Sequence, residues 1–153
     1  MKILMVCLGN ICRSPLAEGI LKDKILAKGL DWEVDSAGTS GWHEGERPDP
    51  RSIRVGLSHN TDIRLQKSRK LVPADLKKFD IIFAMDSSNY QKIMALATTD
   101  EEKSKVHLIM NMVDPDMNQK VPDPYLDDNG FENVYQMLDR ACDAFLERYI
   151  QKK

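Results

Sequence analysis

Apolar residues recur along the chain in two rhythms, and the two rhythms alternate. Ile3-Leu4-Met5-Val6 is a continuous apolar run, the length of a strand covered on both faces. Leu8-Gly9-Asn10 then breaks the run. Ser14-Pro15 reads as a helix cap followed by a first-turn proline, and Leu16, Ala17, Ile20, Leu21 and Ile25 follow at helical spacing, with Gly29 as the stop. Further strands are predicted at 32–36, 79–84 and, more weakly, 106–109. Asp49-Pro50 starts a second helix reaching about His59, and Asp86 caps a third through Tyr90, Ile93 and Met94. A final helix carries Phe131, Val134, Leu138, Ala141, Cys142, Phe145 and Tyr149 on one face. Residues 111–129 hold three prolines and no periodicity, and a connection of that length in a compact domain commonly carries function.

Strands alternating with helices predict an α/β fold. The expected architecture is a single doubly wound domain over residues 1–153. It has a four-stranded parallel sheet, helices on both faces and right-handed crossovers. Ligands in such sheets sit beyond the carboxyl ends of the strands, where the strand order reverses, and the segment after Val6 lies at such an end.

Composition changes this picture only by exclusion. A chain of 153 residues, 42% hydrophobic and 30% charged, is long enough for one substantial core. Its 22 basic and 24 acidic residues leave a net charge of −2, so no overall positive field points to nucleic acid, and no apolar stretch suits a membrane span. Charge is uneven locally. Residues 51–70 hold six Lys or Arg against Asp62, and residues 111–130 hold five Asp against Lys120; most of these side chains are expected to be solvated surface. Three cysteines, with no secretory pattern in Met1–Val6, lead us to expect a reducing cytoplasmic setting.

Candidate chemistry concentrates in Val6-Cys7-Leu8-Gly9-Asn10-Ile11-Cys12-Arg13-Ser14-Pro15. A strand would deliver Cys7 to the rim of the sheet. Backbone N–H groups of a curled loop and of the following helix terminus would form an anion nest from Leu8, Gly9, Asn10, Ile11, Cys12 and Arg13. Gly9 and Asn10 tolerate the left-handed angles such a curl needs. Arg13 offers a planar two-donor fork, and this positive surrounding favours a nucleophilic thiolate at Cys7. A lone cysteine at a strand end is ordinarily a packed small hydrophobe. The joint occurrence of thiol, glycine, arginine and helix start points instead to phosphoryl chemistry.

The run resembles the phosphate-binding loop of the low-molecular-weight protein tyrosine phosphatases. The similarity extends through Asp35-Ser36-Ala37-Gly38-Thr39, Gly41-Trp42, Asp49-Pro50-Arg51, Ala84-Met85-Asp86 and Asp123-Pro124-Tyr125. The resemblance implies Cys7 as nucleophile, Arg13 as phosphate ligand and Asp123 as general acid and then base. A tyrosine phenolate, with a conjugate acid near a pKa of about 10, leaves poorly without a proton. It further implies that Asn10, Ser14, Ser36 and His59 form a network supporting the loop. Trp42 and Tyr125 become the aromatic walls of the cleft, and Cys12 a redox partner of Cys7. Cys142 reads as core. The substrates implied are phosphotyrosine proteins or small aryl phosphates, with inorganic phosphate as product. No metal and no cofactor are expected, and the chain is read as a monomer capable of weak self-association.

The sequence departs from the family where Leu126 follows Tyr125 in place of a second aromatic residue, and where His43-Glu44 and Glu46-Arg47 charge the entrance. Three alternatives share parts of this pattern. An arsenate reductase on this scaffold would need a cysteine pair after the third strand, and residues 80–100 contain no cysteine. A protein arginine phosphatase tends to carry threonine at the place of Ile11 and a smaller residue at that of Tyr125. A non-catalytic phosphopeptide-binding module would need neither Cys7 nor Asp123.

Overall fold

Lys2–Cys7 form β1, and its side chains alternate between two separate cores. Ile3, Met5 and Cys7 enter one cluster; Leu4 and Val6 enter the other. This is the two-residue period of a strand covered on both faces. The computed structural model describes residues 1–151, and the last two residues of the expected 1–153 domain lie outside the described residues. In chain order the elements are β1, α1 (Arg13–Ala27), β2 (Glu33–Gly38), α2 (Pro50–Ser58), α3 (Asp75–Lys78), β3 (Ile81–Ala84), α4 (Ser87–Leu96), α5 (Asp100–Ser104), β4 (Val106–Leu108), a 3₁₀ turn (Ile109–Met112) and α6 (Phe131–Gln151).

The sheet is four-stranded and parallel, in the order β2-β1-β3-β4. Val6 pairs with Ala37 on one side and with Ala84 on the other, so the ends of β2 and β3 flank the end of β1. The chain leaves β1 toward β2 and later returns to its opposite side as β3. The reversal therefore lies between β1 and β3, where the loops after Cys7 and Ala84 meet. The larger core joins Ile3, Met5, Phe83 and Met85 to Leu16, Ile20 and Leu21 of α1 and to Val134, Leu138, Ala141, Cys142 and Phe145 of α6. The second joins Leu4, Val6, Ile82 and Ala84 to Leu71, Leu76, Phe79 and Ile93.

The single doubly wound α/β domain expected from the alternating pattern is the fold observed. Its boundaries differ in physically readable ways. Helix α1 begins at Arg13, with Cys12 at the cap position and no side-chain cap bond. Ser14 is thus not the cap. Its hydroxyl is engaged by the thiol of Cys7, and Pro15 sits in the first turn, where its missing N–H leaves no helical bond unmade. Gly29 does terminate the helix. At φ +66° it adopts the left-handed conformation, its N–H bonds Leu26 O and the N–H of Leu30 bonds Ile25 O, a Schellman closure. Asp49 and Asp86 cap α2 and α4 as expected, accepting from the N–H groups of Arg51 and Asn89. The short helices α3 and α5 escaped the periodicity, which needs more than one turn to register.

Phe145 shows what the α6 face contributes. It is buried at 1% exposure and packs edge-on to Phe83 at 5.2 Å between ring centroids. We expect Phe145→Ala to destabilise the fold by about 3–5 kcal/mol, as for other buried aromatics, read as a fall in the denaturation midpoint at constant slope.

Candidate active site

The loop after β1 is shaped by what holds its carbonyls. Cys7 O accepts from Thr39 N at 2.9 Å, Leu8 O from Ser40 N at 2.9 Å and Ile11 O from Asp49 N at 2.8 Å. Gly9 O accepts from Ser68 Oγ at 3.0 Å and Cys12 O from Ser52 Oγ at 3.3 Å. Every one of these donors belongs to a segment outside the loop. In a trans peptide the N–H points opposite the C=O. Tying five carbonyls outward therefore turns the N–H groups of Leu8, Gly9, Asn10, Cys12 and Arg13 toward the interior of the curl. The N-terminus of α1 adds its own unpaired amides there.

Two residues let the chain take this shape. Asn10 adopts φ +57°, the left-handed turn of the curl. Gly9, expected to share that role, does not have a positive φ; its nearest neighbour is the ring of His43, 3.1 Å from where a Cβ would stand. Gly38, at the end of β2, permits the close approach of the loop backbone. A Cβ there would lie 2.9 Å from Leu8 O and 3.0 Å from Gly9 C.

Beneath the curl lies a buried polar chain. Cys7 Sγ is 3.0 Å from Ser14 Oγ. Asn10 Nδ2 donates to Ser14 Oγ at 2.8 Å and to Ser36 Oγ at 2.9 Å, while its Oδ1 accepts from the backbone N–H of Arg69. That last donor has no acceptor alternative, so it fixes the amide orientation. Ser36 donates onward to Glu18 Oε1 at 2.6 Å, and Glu18, itself buried, pairs with Lys22. With Nδ2 donating to Ser14, the hydroxyl hydrogen of Ser14 is free to be given to Cys7 Sγ.

His59 is outside this network. It stacks on Tyr135 with ring centroids 4.0 Å apart and faces Glu132 with Nε2, at the end of α2 where that helix meets α6. The expectation that it supports the loop is therefore corrected. The backbone of Arg69 and the carboxylate of Glu18 are the further partners of Asn10 and Ser36.

Arg13 is buried at 2% exposure. Its Nη1 donates to Asp86 Oδ2 at 2.8 Å and to Val121 O at 2.9 Å, which uses both hydrogens of that nitrogen. Its Nη2 stands 3.7 Å from Asp123 Oδ2. Burial opposes the charge of the guanidinium, but the negative charge at Cys7, Asp86 and Asp123 outweighs it and holds the group above its ordinary value. For Cys12 the balance is opposite. Burial first, then the nearby charges of Asp49, Cys7 and Asp123, push its thiol up to about 12. Cys7, Cys12 and Cys142 are all free thiols.

These groups open into one cleft of about 250 Å³. Cys7, Cys12 and Arg13 lie at its floor, with Asp123 on one side and Trp42, His43 and Tyr125 around the mouth. Trp42 is 80% exposed and Tyr125 45% exposed, so two aromatic faces line the entrance without closing it. His43 is braced by Glu46 at 3.0 Å. Asp123 accepts from the N–H of Tyr125 at 3.1 Å, the local turn that an Asp-Pro pair favours. Among the described residues no group of three or more His, Cys, Asp or Glu could hold a metal ion. No helix among them is long and apolar enough to cross a membrane.

The sequence reading missed Glu18, Asp86 as partner of Arg13, and Val121. Asp86 carried a signal: a carboxylate just past β3 must face the loop after β1 once the strand order is known. Glu18 lies within a run of core-facing residues, and nothing in the pattern distinguishes it from a solvated helix position.

Sheet and loop together define an α/β protein with a curled, cysteine-headed loop at the reversal of its strand order. The family model described as "Low molecular weight phosphotyrosine protein phosphatase" matches residues 2–153. The low molecular weight phosphotyrosine protein phosphatase of Schizosaccharomyces pombe is 41% identical over 150 residues, covering 95% of each chain. Low molecular weight phosphotyrosine protein phosphatase 2 of Drosophila melanogaster is 39% identical over 151 residues, covering 95% of this chain and 90% of that one. A solved protein tyrosine phosphatase structure from Entamoeba histolytica superposes with a TM-score of 0.92 at 37% identity, covering 99% of this chain and 98% of that one. The chain belongs to the low molecular weight phosphotyrosine protein phosphatase family.

Asn10 combines a positive φ with three hydrogen bonds. At roughly 1 kcal/mol per bond and about 1 kcal/mol for the left-handed conformation, Asn10→Ala should destabilise the protein by about 2–4 kcal/mol. Equilibrium denaturation checks this, with Asn10→Gly expected to recover the conformational part only.

Proposed function

We propose that the protein is a phosphotyrosine phosphatase that works through a phosphocysteine on Cys7. One observation carries the reading: inward-turned amides, a serine-bonded thiol and a buried guanidinium share one cleft with a carboxyl group at its wall.

The phosphoryl group of an aryl phosphate sits in the curl. Its oxygens accept from the loop N–H groups of residues 8–13 and from the Nε–H and Nη2–H edge of Arg13, the edge that Asp86 and Val121 leave free. The thiolate of Cys7 attacks phosphorus as the bond to the aryl oxygen breaks. Asp123, in its acid form, gives its proton to that oxygen, so the leaving group departs as a neutral phenol. The Asp123 carboxylate then takes a proton from water as the water oxygen attacks phosphorus. The phosphorus–sulfur bond breaks, the thiolate returns under the Ser14 hydroxyl, and inorganic phosphate leaves. The preorganised amides and Arg13 stabilise the charge spread over the equatorial oxygens in both steps. Trp42 and Tyr125 accept the phenyl ring between their faces. No cofactor enters these steps.

The rivals fare less well on particular residues. A relay of thiols needs a third reactive cysteine, and Cys142 is sealed in the α6 core at 1% exposure. Ile11 and Tyr125 beside the cup favour a flat aromatic ester. The substrates are phosphotyrosine proteins or small aryl phosphates. Three free thiols suit a reducing cytoplasm, where we read the single domain as a monomer capable of weak self-association.

Two substitutions test the mechanism together. Cys7→Ser should abolish turnover while the denaturation curve stays cooperative; undiminished hydrolysis would eliminate the covalent route. Asp123→Asn should lower kcat/KM for phenyl phosphate by about 10²–10³, within the usual range for general acids, and barely change it for dinitrophenyl phosphate. Equal slowing of both esters would remove Asp123 as the acid.

Cys12 supplies a protective reaction. Its high thiol pKa keeps it protonated, so it reacts only once Cys7 is oxidised by peroxide to the sulfenic acid. Cys12 S–H and Cys7 S–OH then condense to a disulfide and water, and an added thiol reductant restores both thiols. Peroxide inactivation should be reversed by dithiothreitol in the native protein and far less so in Cys12→Ser. Equal recovery in both would dismiss the disulfide.

A further inference from the structure

Asp123 stands in a largely exposed segment, interrupted by the buried Pro124, yet its chemistry requires a fixed position over the cup. Residues 125–129 are exposed, and the carboxylate itself is 43% exposed. What holds the segment is therefore a question the geometry can answer. Val121, two residues earlier, is wholly buried in the larger core. Its N–H donates to Met85 O at 2.8 Å, at the end of β3. Its carbonyl accepts from Arg13 Nη1 at 2.9 Å. One residue thus ties the root of the acid segment both to the sheet and to the guanidinium.

Between that root and the acid stands only Pro122, and Pro124 follows Asp123. Both prolines hold φ near −65°, which removes most of the slack. The other end of the segment is tied by Arg51, which pairs with Asp128 and lies 5.6 Å from the centroid of the Tyr125 ring. Asp128 is 82% exposed in that pair, and exposed pairs contribute only about 0–1 kcal/mol. The buried end is the stronger reference point.

We propose that Val121 is the positioning residue of the general acid. Its carbonyl is held at Nη1 while Asp123 itself faces Nη2, so the root of the acid segment and the oxyanion are placed by one guanidinium. This rests on reading Asp123 as the acid.

The test compares kcat/KM for phenyl phosphate and for dinitrophenyl phosphate, whose leaving group needs no proton, in four variants. Val121→Ala loosens the root by removing its packing, and Pro122→Gly adds slack at a half-buried position without opening the core. Val121→Ile keeps the anchor, and Asp123→Asn is the reference. Displacement of a catalytic group by about 1 Å can lower rates by up to 10². We expect Val121→Ala and Pro122→Gly to lose about tenfold on phenyl phosphate and less than about twofold on dinitrophenyl phosphate, with Val121→Ile near the native values. Inhibition by inorganic phosphate should be unchanged, because the cup itself is intact. Equal losses on both esters, or no loss on either, in Pro122→Gly and in whichever Val121→Ala protein folds would overturn the anchor while Asp123→Asn still splits the esters. A flat response in Asp123→Asn would overturn the acid reading itself.

Discussion

Five carbonyls tied outward are the constraint on which the site depends. A peptide cannot present its N–H inward unless its C=O has somewhere to go, and here each C=O has a donor waiting in a neighbouring segment. Those donors come from the ends of β2, the start of α2 and the stretch before Lys70. The cup is consequently a product of three segments distant from it in the chain. Gly38 belongs to the same constraint, because any side chain at the end of β2 would displace the loop backbone it faces.

Charge is organised around the cup with the same economy of partners. The guanidinium of Arg13 is buried, and a buried cation needs partners. Asp86 supplies a charged one and Val121 a neutral one, both at Nη1. Asp86 also caps α4 through its other oxygen, so the arginine, the end of β3 and a helix on the far face of the sheet are held by one carboxylate. Below the thiol, the chain from Ser14 through Asn10 and Ser36 ends on Glu18 and Lys22, which carries a hydrogen-bonded path from Cys7 to the surface.

Much of the architecture was legible because it is repetitive. Apolar runs marked β1 and β3, the alternation of strand-like and helix-like segments supplied β2 and the weaker β4, and helical spacing gave α1 and α6. Cap chemistry at Asp49 and Asp86 located the starts of α2 and α4 to the residue. Single-turn helices α3 and α5 were illegible for want of a period. At the site, the loop and the Asp-Pro-Tyr segment were readable as strings. Partners set by the fold were not: Val121 meets Arg13 only in three dimensions, and Glu18, though one helical turn from Ser14, carries no mark in the pattern. His59 illustrates the converse error. A histidine near a helix end was given to the loop by resemblance, and the fold spends it on Tyr135 and Glu132.

The order β2-β1-β3-β4 leaves β2 and β4 as the two margins of the sheet. Strand margins are templates on which other chains can add. Here β4 is only three residues long. Along β2, Glu33 and Asp35 bring charge to the margin, and Gly38 is already bridged to Lys70 at the top. Short length, charge and a capped end are the devices by which parallel sheets resist intermolecular pairing. A scaffold that must keep an uncovered, water-facing reaction cleft thus has little exposed backbone elsewhere to seed aggregation.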